Sequence, residues 1–380
     1  MSPRIRTAVL GVLRLLPVYR ALTGVPRAGA LSFAEYVSGA PHGGDRLVEV
    51  APASHVRLDA AERSLAGCAP PPPLIPVTTY DVPAASVATL HGARLYGRGV
   101  ALLGADASVL RDATVYLSGP LEHHSVMRRF WLPRARRLAG TTVVLSLPGG
   151  NTYYHWIVEL LPRLELLRRA GVDVLAANHI VVPSLRHNFQ RETFARLGLD
   201  AGRAVWSDRE PHLVADRMIV PSFVGRSGFT PPWVVEWVRT HLGSGEPTPR
   251  AARRLYVSRQ RSRKRRLTNG AEVERLLEDA GFEVVFPEDH DVATQARLFR
   301  EAEAVVGVHG SAFTNLVFCG PGTRIVELFP PGHAPSYYWV LGGLIGGRYS
   351  AIAGRRPTGG GHGKEDFEVD TGELGRVLGG

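Results

Sequence analysis

From Thr141 onward, short apolar runs alternate with segments whose apolar residues recur at intervals of three and four, the rhythm of strands alternating with helices. "TVVLSL" reads as a strand. In "YYHWIVELLPRLELLRRAG", Ile157, Leu160, Leu161, Leu164 and Leu167 fall on one helical face and Gly171 is a helix stop. "NHIVVP", "HNFQRETFARLG", "RMIVPSF" and "TPPWVVEWVRTHLG" continue the alternation, and the last carries Pro231 and Pro232 in a first helical turn, where proline is tolerated. After "GSGEPTPRAARR" the rhythm resumes. "RLYVSR", "FEVVF", "AVVGV" and "RIVELF" read as strands. "NGAEVERLLEDAG", with Val273, Leu276, Leu277 and Ala280 on one face, and "VATQARLFREA" read as helices.

The N-terminal third follows neither rhythm. Residues 1–75 read as irregular and end in the stiff connector "APPPPLIPV". Residues 76–140 hold short β-like pieces punctuated by Gly and Asp, which predict small antiparallel hairpins. The expected fold is therefore α/β and GT-B-like: two Rossmann-like domains, 141–243 and 255–355, facing each other across a cleft. A linker at 244–254 joins them, a small β-rich part at 76–140 precedes them, and a flexible Gly-rich tail at 356–380 follows.

Composition narrows the partners. The 380 residues are 44% hydrophobic and 21% charged, an ordinary globular balance. The formal charge is +10, and Lys264 and Lys364 are the lysines, so the excess is carried by arginine, the better bidentate partner for phosphate and carboxylate. Cys68 and Cys319 lack metal-ligand spacing and suggest no disulfide framework, which fits a reducing, cytoplasmic setting. No run of about 20 apolar residues is present to span a bilayer. The N-terminal "SPRIRTAVLGVLRLLPVYRAL" is too interrupted by arginine for a secretory signal. It reads either as a helix packed on its domain or a frayed end, or as a basic amphipathic helix in peripheral contact with anionic membrane at its inner face.

Three constellations carry chemistry. In the first, "VVGVHGSAFTNLVFCGPGTRIVELF", His309 and Gly310 fall where a strand ends, and Ser311 and Thr314 begin the next segment. Amides and hydroxyls there suit phosphate oxygens, and Glu327 suits the hydroxyls of a ribose. An ordinary N-cap beside a buried histidine is the competing explanation. In the second, "YVSRQRSRKRR", Ser258 and Arg259 end a strand and Arg261, Arg263, Arg265 and Arg266 follow, suited to a diphosphate; without interleaved aromatics, nucleic acid is not expected. In the third, "GGNTYYHWIVELLPR", His155, Glu159 and Arg163 follow one another at intervals of four. Such a stripe is either plain solvated surface or a base with its orienting partner. The ATPase phosphate loop, the dinucleotide fingerprint and the hydrolase elbow are absent. Asp289-His290-Asp291 is read as a helix start capped by Asp291 rather than a metal site, and no metal is expected.

Together these segments resemble glycosyltransferase family 61. The pattern is N-x-x-x-H-W at Asn151, His155 and Trp156; S-R and a basic loop at Ser258, Arg259 and Arg263; G-F-E-V followed by acidic Glu288; and H-G-S-x-x-T-N-x-x-F from His309 to Phe318, with Asn315 within it and Pro321, Gly322 and Glu327 behind. The resemblance covers roughly residues 140–330. It implies a GT-B fold, a nucleotide-diphosphate sugar as donor substrate with no other cofactor, inversion at the anomeric carbon, no obligatory metal, and a glycan or lipid-linked glycan acceptor in surface or capsular polysaccharide synthesis. It implies nucleotide-sugar binding by Ser258, Arg259, Arg263, Glu288, His309, Gly310, Ser311, Thr314, Asn315 and Glu327. Asn151, Tyr154 and Trp156 fall on the acceptor side, with His155, Glu159 and Arg259 catalytic. Phe313 stands where the family usually has a small residue and is expected to bear on the donor pocket. A non-catalytic nucleotide-sugar or glycan-binding homologue, and another nucleotide-sugar enzyme such as an epimerase, are the rival readings.

Overall fold

The chain divides into two compact units, Met1–Ala53 with Pro83–Gly225, and Ser54–Val82 with Arg226–Gly380. The structure is a computed structural model that describes residues 12–13, 16–27, 29–39, 44–58, 77–117, 119–243, 252–357 and 366–379. The polyproline connector before Val77, Cys68, most of the 244–254 linker and residues 1–11 and 14–15 lie outside these.

In the first unit four parallel strands lie in the order Ala204–Trp206, His179–Val182, Arg136–Val144, His212–Pro221. Numbered along the chain this is 3-2-1-4, the order of a Rossmann half. The sheet does not stop there. Ala85–His91 and Arg94–Tyr96 pair antiparallel with His212–Pro221, and Arg46–Ala51, Ala101–Leu103, Val109–Leu110 and Ala30–Leu31 extend it to ten strands. One apolar cluster unites the two halves, with Leu90, Leu95 and Leu102 packed together with Val144, Val181 and Met218. Apart from Thr79–Val82, the hairpins read from 76–140 are thus the antiparallel wing of the same sheet. Residues 46–51, read as irregular, supply one of its strands.

The helix expected after the first parallel strand is not continuous. His155–Leu160 is a π-helical turn, with the Leu161 amide donating to the Trp156 carbonyl at 3.0 Å, and an α-helix follows at Arg163–Arg169. Pro162 has no N–H to continue the regular ladder, which favours a wide turn at this point. One extra residue in a turn rotates the residues after it by about 100° against an uninterrupted helix. Arg163, read on the solvated stripe, is therefore turned inward and buried, while Leu164 is only half-buried.

The second unit holds five parallel strands in the order Glu283–Val285, Arg253–Val257, Ala302–Val308, Arg324–Phe329, Arg348–Ala353. This is 2-1-3-4-5, the order of flavodoxin-type doubly wound sheets. Helices Gly270–Asp279 and Val292–Arg300 bury Val273 and Leu277, and Val292, Ala296 and Phe299; Pro232–Leu242 starts on proline as expected. An antiparallel pair, Ser54–Arg57 with Thr79–Val82, belongs to this unit, where Tyr80 Oη donates to the Thr230 carbonyl at 2.6 Å. Part of the expected flexible tail is ordered. Thr371–Gly379 is a helix burying Leu374 and Val377, Phe367 is in the core, and the Asp366 carboxylate accepts from Arg266 Nη2 at 2.8 Å. The glycine count hid this apolar periodicity. No helix among the described residues is long and apolar enough to cross a membrane.

Candidate functional site

In a doubly wound sheet, ligands bind beyond the carboxyl ends of the strands where the strand order reverses. In the second unit that point lies between Arg253–Val257 and Ala302–Val308. The residues leaving these strands are Ser258-Arg259 and His309-Gly310. Gly310 is extended, so its role is spatial. A Cβ there would run into the Arg259 guanidinium, with Cζ at 2.9 Å. The guanidinium thus lies against the bare main chain of Gly310, and any other residue would push it away. The two motifs, about 50 residues apart in sequence, form one cationic turn.

His309 is fixed from behind. Its Nδ1 meets Glu327 Oε1 at 2.5 Å, and Tyr349 Oη donates to Glu327 Oε2. The carboxylate accepts from the imidazole Nδ1–H, so Nε2 is the atom left for a ligand. The ring stacks on Phe329 at 5.3 Å between centroids and abuts Tyr338. Parallel pairing makes this possible, because the register Gly307–Glu327 brings the carboxylate level with the end of the neighbouring strand. Glu327 is fully buried with both oxygens taken, so it orients His309 in this structure, where a ribose contact had been expected. Burial, and next the Glu327 charge, push the Tyr338 and Tyr349 phenols above their ordinary values.

The other expected donor-side residues sort by their partners. Ser258 Oγ donates to Glu274 at 3.1 Å and accepts from the Gln260 amide, so it shapes the turn. Within the basic loop, Arg261 pairs with Asp289 and stacks on Phe286, and Arg266 is held by Asp366. Arg263 and Glu288 are exposed. Arg265 sits at φ +57°, a left-handed conformation unusual for a side-chain-bearing residue, and its charge acts with that of Arg259 on Tyr338. Ser311 is half-buried at the start of the 3₁₀ segment Ser311–Phe318, and Thr314 is buried within it. Asn315 Nδ2 donates to Gln295 at 2.7 Å, tying the segment to helix Val292–Arg300. Phe313 is core: its ring occupies the space a side chain at Gly307 would need.

In the first unit, His155 Nδ1 meets Glu159 Oε2 at 2.6 Å, and Glu159 Oε1 is buried without a hydrogen-bond partner among the described residues. Gly149, at φ +77°, packs on the His155 ring, and a Cβ there would lie 2.6 Å from Cδ2. The expected acceptor-side residues are framework. Asn151 Nδ2 donates to Asp208 at 2.7 Å and its Oδ1 accepts from Ser184 at 2.6 Å; Trp156 Nε1 donates to Thr193 at 2.8 Å; Tyr154 is buried edge-on to His155. Asp291 caps helix Val292–Arg300, accepting from the Thr294 amide at 2.7 Å. Among the described residues no three His, Cys, Asp or Glu side chains converge as a metal site. Sequence reasoning missed Tyr338, Tyr349 and the inward Arg163. The first two lie beyond the motifs, and no spacing rule marks them.

Residues 153–326 match the family model described as Glycosyltransferase 61, which bears out the resemblance over that segment and leaves Asn151 and Glu327 just outside it. Among curated proteins of Oryza sativa subsp. japonica, an alpha-1,3-arabinosyltransferase is 33% identical over 87 residues, 22% of this chain and 15% of that protein. A beta-1,2-xylosyltransferase is 39% identical over 80 residues, 21% of this chain and 17% of its own length. A second alpha-1,3-arabinosyltransferase is 31% identical over 91 residues, 23% and 15% respectively. The aligned stretches therefore span less than a fifth of these relatives.

Proposed function

We propose that this chain, whose residues 153–326 are of the glycosyltransferase 61 type, transfers a sugar from a nucleotide-diphosphate donor to a glycan or lipid-linked glycan acceptor. The reaction inverts the anomeric carbon, needs no metal, draws on cytoplasmic donor and serves surface polysaccharide synthesis; a GT-B arrangement is part of the same reading. The arabinosyl and xylosyl activities named for the rice relatives favour a pentose, with hexoses retained in the test. The observation that carries the reading is the Arg259 guanidinium seated on Gly310 at the strand-order reversal.

The donor diphosphate rests on that turn, contacted by Arg259 and His309 Nε2 and by the amides that open the Ser311–Phe318 segment. The His155–Glu159 pair takes the acceptor hydroxyl proton. The acceptor oxygen forms its bond to the anomeric carbon as the bond to the phosphate oxygen breaks. The nucleoside diphosphate leaves with the electron pair, and arginine stabilises the charge that develops on it, the work a divalent cation does in other transferases.

Calorimetric titration with a panel of nucleoside diphosphates, with and without chelator, tests this. One should bind in both conditions, and Arg259→Ala should weaken it about ten- to a hundredfold, the worth of a hydrogen bond to a charged group. Transfer from the matching nucleotide sugar should survive chelation. If the panel shows no association, or if Arg259→Ala binds as the parent does, the assignment fails.

A further inference from the structure

Eight large apolar side chains are exposed among the described residues, and six of them fall in two short stretches: Val12, Leu16, Val18 and Leu22 in one, Leu117 and Trp131 in the other. Surface apolar residues scattered singly need no explanation, but a contiguous group marks a contact surface. These two stretches are joined. Helix Pro17–Thr23 lies along the 130–132 segment, with Tyr19 Oη donating to the Phe130 carbonyl at 2.7 Å and the Leu132 amide donating to the Thr23 carbonyl at 2.8 Å. The half-buried Tyr19 faces the apolar cluster of Val25, Tyr96, Val109 and Val126, while Val18 and Leu22, one turn apart, are 71% and 82% exposed. Trp131 is 63% exposed.

The charge around this face is mainly positive. Between residues 113 and 135 the sequence holds one carboxylate, Glu122, against Arg128, Arg129 and Arg134. Arg128 and Arg134 are exposed, and Arg128 and Arg129 line a groove of about 400 Å³ with Tyr116, His123, Phe130 and Trp131. Protruding aliphatics, a tryptophan and arginines on one face match the layered chemistry of a bilayer surface: acyl chains beneath, phosphate above. We infer that the face formed by helix Pro17–Thr23, Leu117 and residues 119–134 docks on an anionic lipid surface. The inference is independent of the donor site, which belongs to the other unit, and stands or falls separately from it.

Flotation of the full chain with vesicles of phosphatidylcholine, with and without phosphatidylglycerol, decides the matter. The protein should float with the anionic vesicles, less so as salt is raised, and remain behind with the neutral ones. Leu22→Ser with Trp131→Ser should lower partitioning at least about tenfold, and Arg128→Glu with Arg134→Glu by a similar factor, since each basic residue near such a surface is worth about fivefold. Val18→Ser provides a third, independent surface variant, and unchanged thermal melting shows that each is folded. Absence of binding to anionic vesicles, or binding that none of the variants weakens, overturns the inference. So does concentration-dependent self-association abolished by the same variants, which would give the face to a second copy, or retention on soluble acidic polysaccharide without vesicle binding.

Discussion

The two units each place an arginine at the point where strand order reverses, and the two arginines have opposite fates. In the first unit Arg163 is buried at the ends of Arg136–Val144 and His212–Pro221. Nη1 donates to the carbonyls of Leu145 at 2.8 Å and Ser146 at 3.2 Å, Nε to that of Ser222 at 3.2 Å, and Nη2 to that of Pro221. Burial pushes its pKa down to about 9, so it stays charged at neutral pH with its donors committed to main chain. In the second unit Arg259 lies on the bare backbone of Gly310, at a strand end that also presents His309. A guanidinium at a sheet edge is therefore no mark of a ligand by itself. What it packs on and how deeply it is committed decide its part, since Arg259 also has a partner, its Nη2 donating to the Lys264 carbonyl at 3.3 Å.

With the first crevice stapled shut, the proposed reading gives that unit's part in the chemistry to the turn before the staple, His155 and Glu159. The largest expected effect is on turnover. Glu159→Gln should lower it by about 10² to 10⁴, the usual contribution of a general base, and leave nucleoside diphosphate affinity unchanged. Steady-state rates beside calorimetry separate the two. Equal losses in rate and affinity would make the pair structural and break the division of labour between the units.

Stability should show the reverse asymmetry. Arg163→Met removes the donors of four buried carbonyls, and with about 1–3 kcal/mol for each group left unmet the fold should lose at least about 4 kcal/mol. Denaturant unfolding measures it, and nucleotide affinity of the folded protein should be unchanged. A stable Arg163→Met variant with weakened nucleotide binding would invert the comparison.

How much of this the sequence disclosed depended on range. Four of the five parallel strands of the second unit, the proline start of helix Pro232–Leu242 and the capping by Asp291 were legible, because a few neighbouring residues determine each, while the strand Arg348–Ala353 was not read. The His155–Glu159 pair could be read from its spacing of four. Arg163 could not, since the π turn ahead of Pro162 changes the phase that the leucine pattern suggested. The Gly310–Arg259 contact needed the strand order, and the role of Glu327 needed the register that sets it opposite Gly307. Sequence order brought the motifs into view but could not say how the arginines of the loop were already engaged, Arg261 and Arg266 by carboxylates and Arg259 by the Lys264 carbonyl.

The smallest effect tests the rear wall of the His309 turn. Tyr349→Phe removes one of the two donors to the buried Glu327 carboxylate and leaves the His309 contact in place. A hydrogen bond to a charged group contributes about 1.5–3 kcal/mol, and that loss should appear as a lowered unfolding midpoint. His309 retains Glu327 as acceptor and hence its tautomer, so nucleotide affinity should fall less than about threefold, read by the same titration that Arg259→Ala disrupts. A large fall in affinity with little loss of stability would mean that Tyr349 acts on the ligand side of His309, and that the carboxylate behind the imidazole is part of the binding surface instead of its support.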